Sequence, residues 1–326
     1  MFYLRKVIAI IENSAFRNAI DKLEKTLQEQ KIVLQCFWIE ELQLAEVTAE
    51  TVFDAVWEKF ERCATGETEG GKADCRMRVE VNGAGQDSVS ADTACLWFTD
   101  MADIVKVLSQ MEQPVLALLH ENNRNQDLSA ALYACEEPGE LDGGYLDKVY
   151  RRYKRLPWEI LQTDRCLIRE TIPEDAEAFF EIYKEPSITR YMEGLYPKIE
   201  QEKQYINDYI DKVYSFYGFG VWTVIKRDSG EIIGRAGLSY REGFEEPEIG
   251  FVIGKHWQRQ GYAEEICNAI LDYAREELEF DVVQAFVRPE NVASLGLCKK
   301  LGMKLERETV IGGIKHCRMM RNSFEQ

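Results

Sequence analysis

The segment from Glu248 to Leu278 constrains the fold most, because it has the pattern of a strand, a glycine-containing turn and a helix. Residues 249–253 are mostly apolar, which indicates a buried strand. From Ala263 onward, apolar side chains recur at helical spacing and form one stripe of an amphipathic helix. Unpaired amides at the start of such a helix attract anions. The turn is therefore a candidate pyrophosphate site in which Gly261 lets the main chain approach closely.

The same alternation continues after this unit. An apolar run over 282–287 predicts the next strand. Asn291 then opens a short predicted helix that ends at Gly302, because Asn is a favoured helix start and Gly a favoured helix end.

The first half of the chain also alternates short apolar runs with amphipathic stretches. We predict strands over 7–11, 32–39, 95–98, 114–119 and 130–134, with helices over 15–29, 49–62 and 103–110. Continuous apolar strands between helices indicate a mostly parallel sheet covered on both faces, that is, a three-layer α/β domain. Residues 64–94 are rich in Gly, Ser, Asp and Thr, so we expect a mobile stretch with one edge strand near 77–81.

Length favours two domains. The chain has 326 residues, and a typical domain has about 150. A predicted linker helix over 141–157, stopped by Pro157, places the joint at about residue 160. We therefore predict an α/β domain over 1–160 and a second domain over 161–326.

Composition narrows the possible partners and the compartment. The formal net charge is −17, which disfavours nucleic acid as a partner and suits an amine or another cation. No apolar run approaches the roughly 20 residues of a membrane span, and the N-terminus lacks a secretory signal pattern. The nine cysteines include no C-x-x-C pair, so we expect reduced thiols in the cytoplasm and no metal site.

Two polar clusters follow predicted strands of the first half. Thr99 and Asp100 follow one strand, and the polar run 120–124 follows the next. Ligands of parallel sheets bind at such carboxyl ends, so these residues are a candidate site. The favoured alternative is that Asp100 caps the following helix and the polar run is a solvated loop.

Residues from about 163 to 322 resemble the GNAT superfamily of acyl-CoA-dependent N-acetyltransferases. The resemblance is to the branch of the ribosomal-protein alanine acetyltransferases, the RimJ/RimL type. The matching motifs are Arg165–Glu170, Ile188–Met192, Ile232–Gly237, Glu248–Phe251, Gln258–Ala263 with Glu265, Asn291–Ser294 and Lys300–Gly302. This resemblance implies the GNAT fold, which has a mixed and splayed central sheet with flanking helices. The first half is broadly similar to Rossmann-like or phosphatase-like α/β domains without their catalytic motifs.

The resemblance implies a binding site for acetyl-CoA. Main-chain groups of Phe251, Val252 and Ile253 would pair with the pantetheine arm and the acetyl group, which Asn291 would also contact. Main-chain amides would hold the pyrophosphate in the segment Gln258, Arg259, Gln260, Gly261, Tyr262, Ala263 and Glu264. The alternatives are that Phe251 and Ile253 are core residues and that Asn291 only caps its helix.

The resemblance also implies two catalytic residues. A lysine-type amine with a pKa near 10.4 is mostly protonated at neutral pH, so a base is needed. Glu248 matches the strand glutamate that GNAT enzymes use directly or through water; alternatively, it is a surface residue beside Glu245 and Glu246. Cys298 stands where many GNAT enzymes have a tyrosine proton donor. It could donate a proton, or it could be a buried, inert thiol while solvent protonates the leaving group.

The acceptor pocket implied by the resemblance lies between predicted helices over 174–185 and 199–213 and a loop over 235–247. These segments are rich in aromatic and acidic side chains. They are Tyr191, Met192, Tyr196, Tyr205, Tyr209, Phe216, Tyr217, Trp222, Tyr240, Glu242, Glu245 and Glu246. Such a rim suits a small amine, a polyamine or a peptide N-terminus, although the same rings at helical spacing are also typical of a core.

We therefore expect an acetyl-CoA-dependent N-acetyltransferase that needs no metal. A primary amine, either a small molecule or a protein N-terminus, would attack the thioester directly in a ternary complex. The alternative is a non-catalytic acyl-CoA sensor whose N-terminal domain binds a partner or ligand. A third hypothesis is that the N-terminal domain binds a nucleotide or phosphoryl ligand and regulates the second domain. The sequence carries no signal for the oligomeric state.

Overall fold

The computed structural model describes residues 2–44, 46–56 and 94–322. The chain divides into two compact units, Met1–Leu156 and Pro157–Gln326. The predicted helical residues 57–62, the predicted edge strand near 77–81 and nearly all of the segment 64–94 lie outside the described residues.

The first unit is a parallel sheet of five strands in the order β2-β1-β3-β4-β5. The strands are β1 Lys6–Ile11, β2 Val33–Trp38, β3 Cys95–Thr99, β4 Val115–Leu118 and β5 Tyr133–Cys135. The helices are α1 Arg17–Glu29, α2 Ile39–Leu42, α3 at 49–56, α4 Ala102–Gln110 and α5 Gly143–Tyr153.

Both faces of this sheet are covered. Alternate side chains of a strand point to opposite faces, so β1 contributes Val7 to a core with α1 and α5, and Ile8 to a core with α3 and α4. A strand buried on both sides needs a continuous apolar run, which explains the sequence of β1. The predicted α/β character of this half is confirmed.

One predicted strand of this unit is displaced. β5 begins at Tyr133 rather than at residue 130. Asp127 accepts hydrogen bonds from the main-chain N–H (3.1 Å) and the hydroxyl (2.5 Å) of Ser129, and these bonds close a turn where the strand was expected.

The linker helix is shorter than predicted. Asp142 caps α5 by accepting a hydrogen bond from the N–H of Tyr145 (2.8 Å). The helix ends at Tyr153, before Pro157 is reached, because Arg155 adopts a left-handed conformation with φ of 52°.

The second unit is an eight-stranded sheet in the order β12-β13-β11-β10-β9-β8-β7-β6. Its strands are β6 Glu159–Gln162, β7 Cys166–Arg169, β8 Val221–Lys226, β9 Ile232–Ser239, β10 Glu248–Ile253, β11 Val282–Val287, β12 Lys304–Ile311 and β13 Ile314–Asn322. Its helices are α6 Ala176–Tyr183, α7 Pro186–Thr189, α8 Ile199–Tyr209, α9 Ser215–Tyr217, α10 Tyr262–Glu276 and α11 Val292–Lys300.

The sheet is mixed, as the resemblance implies, and its middle is splayed. All neighbouring strands are antiparallel except β10 and β11, which are parallel. β10 pairs with β9 over six register pairs but with β11 only where Glu248 faces Gln284. The two central strands therefore diverge beyond Glu248, and this divergence positions the site.

The structure of this unit departs from the sequence analysis in three places. β6 was not predicted, because its residues are only half-buried and lack a clear alternation. Residues 235–239 belong to β9, so the loop before β10 spans 240–247 rather than 235–247. The helix predicted over 199–213 is α8, which leaves α-helical geometry at Tyr209 and continues as a π-helical turn, Ile210–Tyr214, into α9.

Within the described ranges, no helix is long and apolar enough to cross a membrane. The same residues contain no group of three or more His, Cys, Asp or Glu side chains placed to hold a metal ion.

Candidate active site

The strand-end residues of the first unit meet, but they bind their own main chain. Asp100 is 2% exposed and accepts hydrogen bonds from the N–H groups of Glu12 and Asn13 (2.8 Å each). His120 Nε2 lies 3.4 Å from the same carboxylate. The expectation that Asp100 caps the following helix is wrong, because the N-cap of α4 is Met101 and the first N–H of the helix, that of Ala102, donates to Gln126 Oε1 (3.4 Å).

The polar run after β4 is a packed turn. Asn123 is 1% exposed, and its amide donates to the main-chain oxygens of Asp100 (2.9 Å) and Leu118 (2.8 Å). His120 Nδ1 accepts a hydrogen bond from the N–H of Asn122 (3.2 Å). These side chains close the ends of β3 and β4, so the expected solvated loop is partly buried.

In the second unit, the turn before α10 presents main-chain amides. Gly261 (φ 85°) and Arg259 (φ 61°) are both left-handed, so the chain turns tightly into the helix. The first helical hydrogen bond runs from the N–H of Glu265 to the carbonyl of Gly261 (3.1 Å). The amides of Tyr262, Ala263 and Glu264 precede that bond and have no acceptor within the helix.

Side chains fix this turn. Gln258 Nε2 donates to the carbonyl of Ile253 (2.9 Å), and Gln260 Nε2 donates to the carbonyl of His256 (2.8 Å). The turn is thereby tied to the end of β10, which fixes the distance between the strand and the start of α10.

Arg165, quoted in the motif but assigned no role from sequence, clamps the start of α10. Its guanidinium donates to Glu265 Oε2 (2.6 Å) and to the carbonyl of Gln260 (3.0 Å), and it lies 4.1 Å from the ring centroid of Tyr262. The only sequence signal was a basic residue at the start of β7 and an acidic residue in the first turn of α10.

The main chain of β10 has an open edge beyond Glu248. Main-chain groups alternate in direction along a strand, and the carbonyl of Pro247 accepts from the N–H of Gln284 of β11 (2.9 Å). The N–H and C=O of Phe251 therefore lie on the same edge, past the last register pair with β11. An extended ligand can pair with Phe251 there.

The next two residues of β10 have fewer main-chain groups available to a ligand than Phe251. Val252 lies opposite Arg235 of β9, and a Cβ placed on Gly234 would come within 2.0 Å of the Val252 carbonyl oxygen. The main chain of Val252 thus faces β9, away from the open edge, and we leave it out of the proposed cofactor contacts. The carbonyl of Ile253 lies on the open edge but already accepts from Gln258.

Glu248 stands where β10 and β11 begin to diverge. Its carboxylate is 12% exposed and forms a two-point ion pair with Arg241, whose Nε lies 2.6 Å from Oε2 and whose second guanidinium nitrogen lies 3.1 Å from Oε1. This hydrogen bonding to Glu248 raises the pKa of Arg241. Gly250 is on the same face of the strand, and a Cβ placed on it would meet no heavy atom within 4 Å. The carboxylate therefore borders an open space.

The thiol of Cys298 is a core group. It is 1% exposed and packs in the apolar cluster that also contains Cys267 of α10. Burial raises the pKa of Cys298 to about 11, above the ordinary thiol value near 8.5. Proton transfer from it to a thiolate is therefore uphill, and we leave Cys298 out of the proposed mechanism.

Asn291 and Glu264 both make internal contacts. Asn291 Oδ1 accepts a hydrogen bond from the N–H of Ser294 (3.2 Å) and so caps α11. Glu264 pairs with Lys300 (2.8 Å), which ties the first turn of α10 to the end of α11.

The predicted acceptor side chains divide into core and surface groups. Trp222 is 0% exposed and belongs to the apolar core. Most of the other rings form chains of neighbours with centroids about 5 to 6 Å apart, typical of edge or offset stacking. These rings are exposed except that of Tyr209, which packs against the core. One chain contains Tyr196, Tyr205 and Tyr209, and the other contains Phe216, Tyr217 and Tyr240.

Comparison with known proteins identifies the family. A family described as "Acetyltransferase (GNAT) domain" matches residues 165–304. The uncharacterized N-acetyltransferase YoaA of Bacillus subtilis is 32% identical over 151 residues, which cover 45% of this chain and 84% of that protein. The chain belongs to the GNAT acetyltransferases. The GNAT domain lies in the second unit, and the chain is an acyltransferase.

Other GNAT proteins are similar to the same share of the chain. The uncharacterized N-acetyltransferase YnaD of Bacillus subtilis is also 32% identical over 151 residues, covering 45% of this chain and 83% of that protein. The crystal structure of a GNAT-family acetyltransferase from Bacillus anthracis covers 51% of this chain and 99% of its own, at 24% identity and a TM-score of 0.45.

Proposed function

We propose that the GNAT domain transfers the acetyl group of acetyl-CoA to a primary amine, of a small molecule or of a protein N-terminus, by direct attack in a ternary complex. One observation carries the proposal. The strand edge at Phe251 is open, while the carboxylate of Glu248 and the open space over Gly250 lie one pleat away on the same strand.

The residues present fit acetyl-CoA. The amides of Tyr262, Ala263 and Glu264 lie in the first turn of α10, at the positive end of the helix dipole, and have no acceptor within the helix. They therefore suit the pyrophosphate. The main-chain groups of Phe251 suit the amides of the pantetheine arm. When bound, acetyl-CoA supplies the acyl thioester that the amine attacks.

Glu248 is the proposed base. The acceptor arrives mostly as an ammonium ion, which cannot attack until it loses a proton. The carboxylate borders the open space over Gly250, so an acceptor placed there lies within reach of it, directly or through one water. Arg241 holds the carboxylate in one orientation through two hydrogen bonds.

The departing thiolate takes its proton from water. The ammonium would give one proton to Glu248 before attack, and its nitrogen would lose a second proton to water as the amide forms and the bond from the acetyl carbon to sulfur breaks. Glu248 would then return its proton to solvent, so that one acetyl transfer gives the amide, CoA thiol and one released proton. This route needs no protein acid, which agrees with the buried position of Cys298.

Calorimetric titration of the full chain with acetyl-CoA tests the cofactor. We expect Gly261→Glu to abolish binding, because it puts a carboxylate beside the amides of α10. Gly230→Glu is the matched control, since Gly230 (φ 72°) imposes the same backbone strain at a surface turn where a Cβ would meet nothing within 4 Å. Failure of the wild-type protein to bind acetyl-CoA would contradict the proposal.

A turnover measurement distinguishes the proposed enzyme from the alternative hypothesis, a non-catalytic acyl-CoA sensor. Release of CoA thiol that depends on an added amine is expected of the enzyme. Tight binding of acetyl-CoA without amine-dependent release, across small amines and peptides, would favour the sensor.

A further inference from the structure

The ion pair of Arg241 with Glu248 has a consequence for the acceptor, which rests on the proposed function. Arg241 occupies both oxygens of the carboxylate that borders the open space over Gly250. Its side chain is 39% exposed and belongs to the loop 240–247, whereas the side chain of Glu248 is 12% exposed. An acceptor that reaches Glu248 therefore meets a carboxylate whose two oxygens already bind a guanidinium.

The charge of an acceptor determines how well it can bind beside the ion pair of Arg241 and Glu248. A bare ammonium approaching Glu248 is repelled by Arg241, and if it displaces Arg241 it leaves the guanidinium without its hydrogen-bonded partner. A zwitterion avoids both penalties. Its carboxylate takes over the two-point contact with Arg241, while its amine takes the place of the guanidinium beside Glu248. Each charge is then paired before and after binding.

Aromatic rings near the open space over Gly250 favour a particular kind of acceptor side chain. Two residues along each strand from the Glu248–Gln284 pair are Gly250 of β10 and Phe286 of β11, which therefore share one face across the divergence. The ring of Phe286 lies 4.5 Å from that of Phe244, and the guanidinium of Arg241 lies 5.4 Å from the Phe286 centroid. The ring of Phe286 thus stands next to the ion pair with Phe244 packed against it, and the two rings suit an apolar side chain.

We propose that the acceptor is a free α-amino acid with an apolar side chain, whose carboxylate binds Arg241 and whose amine contacts Glu248. The rings of Phe244 and Phe286 contact its side chain. An α-amino acid carries its amine and its carboxylate on one carbon, which matches two partners that are themselves in contact. A peptide N-terminus has an uncharged amide at that position, and a polyamine has a second cation, so neither pairs with Arg241.

Three acceptors that share one ring test this directly. They are L-phenylalanine, L-phenylalaninamide and phenethylamine, which carry a carboxylate, an amide and a hydrogen on the same carbon. CoA release is measured with each, and kcat/KM is expressed per unprotonated amine because their amine pKa values differ. We expect phenylalanine to exceed the other two by about 10- to 100-fold, the range of a charge-assisted two-point contact.

Substitution of Arg241 assigns that preference to the guanidinium. Arg241→Gln should bring the phenylalanine-to-phenethylamine ratio close to one, mainly through the KM for phenylalanine, and Arg241→Lys should restore part of it. Arg275→Gln is the matched control, because it removes the same charge from an ion-paired surface arginine of α10. Circular dichroism spectra like that of the wild-type protein show that the variants fold.

The outcomes separate this inference from the proposed function. Faster turnover of phenethylamine or phenylalaninamide by the wild-type protein would overturn the amino-acid acceptor and leave the acetyltransferase standing. An unchanged ratio in Arg241→Gln would overturn the role of Arg241. Failure to bind acetyl-CoA would overturn the proposed function itself.

Discussion

Replacing Glu248 by glutamine removes the proposed base while keeping the size of the side chain. The amide can accept only one of the two hydrogen bonds from Arg241, and its NH2 group faces a second donor. The open edge at Phe251 and the amides of α10 are untouched. Binding of acetyl-CoA should therefore remain while turnover falls.

Two magnitudes decide how the result is interpreted. Loss of a positioned base lowers kcat by about 10²- to 10⁴-fold, which is roughly 2.7 to 5.4 kcal/mol of activation free energy. The ion pair is only partly buried, since Arg241 is 39% exposed, so its loss destabilises the fold by about 1 to 2 kcal/mol. A domain with about 5 to 15 kcal/mol of stability remains folded after that change. A hundredfold loss of activity is therefore not explained by unfolding.

The assay measures CoA thiol release against acceptor concentration, from pH 6.5 to about 9.5. In Glu248→Gln, the residual rate should rise with pH as the free amine fraction grows. Glu308→Gln, which breaks an exposed ion pair with Lys315 on the terminal hairpin, is the matched control. A variant with wild-type kcat/KM at neutral pH would refute the assignment of Glu248.

Two further predictions concern buried groups. Cys298→Ala should leave kcat unchanged and lower the free energy of unfolding by on the order of 1 kcal/mol, since the thiol only packs in the core; a hundredfold fall in kcat would make it the proton donor. Asp100→Ala should destabilise the first unit by roughly 2 to 4 kcal/mol, because it leaves the amides of Glu12 and Asn13 without their acceptor, and Asp100→Asn should do so less. Hydrogen exchange of residues 6–16 in the full chain measures this, and unchanged protection there would contradict it.

The elements that define the site were predictable because their signals are local. β10 and β11 have the predicted ends, and α10 begins beside the predicted Gly261. Apolar runs, a helix-starting Asn and two left-handed glycines act within a few residues, so spacing alone locates them. β6 was not predicted, because a half-buried edge strand of four residues lacks such a signal.

The partners of the site residues were not predictable, because they depend on how the chain folds beyond a single helix or strand. Glu248 was identified as the base, but its ion pair with Arg241 forms only because the loop 240–247 folds back onto β10. Arg165 and Glu265 are 100 residues apart and meet only through the sheet order. The pairing of charges across a loop or a sheet carries no periodicity, so single-sequence patterns cannot reveal it.

Each unit has a crevice at its sheet, but side chains fill the crevice of the first unit and leave that of the second unit open. In the first unit, α1 and α4 follow neighbouring strands β1 and β3 but pack on opposite faces, which opens a crevice where ligands of parallel sheets bind. The chain fills that crevice with the carboxylate of Asp100, which binds the main-chain amides that a ligand would use. In the second unit, the divergence of β10 and β11 is bordered by Gly250, whose missing side chain leaves open space, and by the edge of Phe251. A crevice closed by its own side chain stabilises a fold, whereas one kept clear by a glycine can admit a substrate, so the physical case for chemistry rests on the second unit.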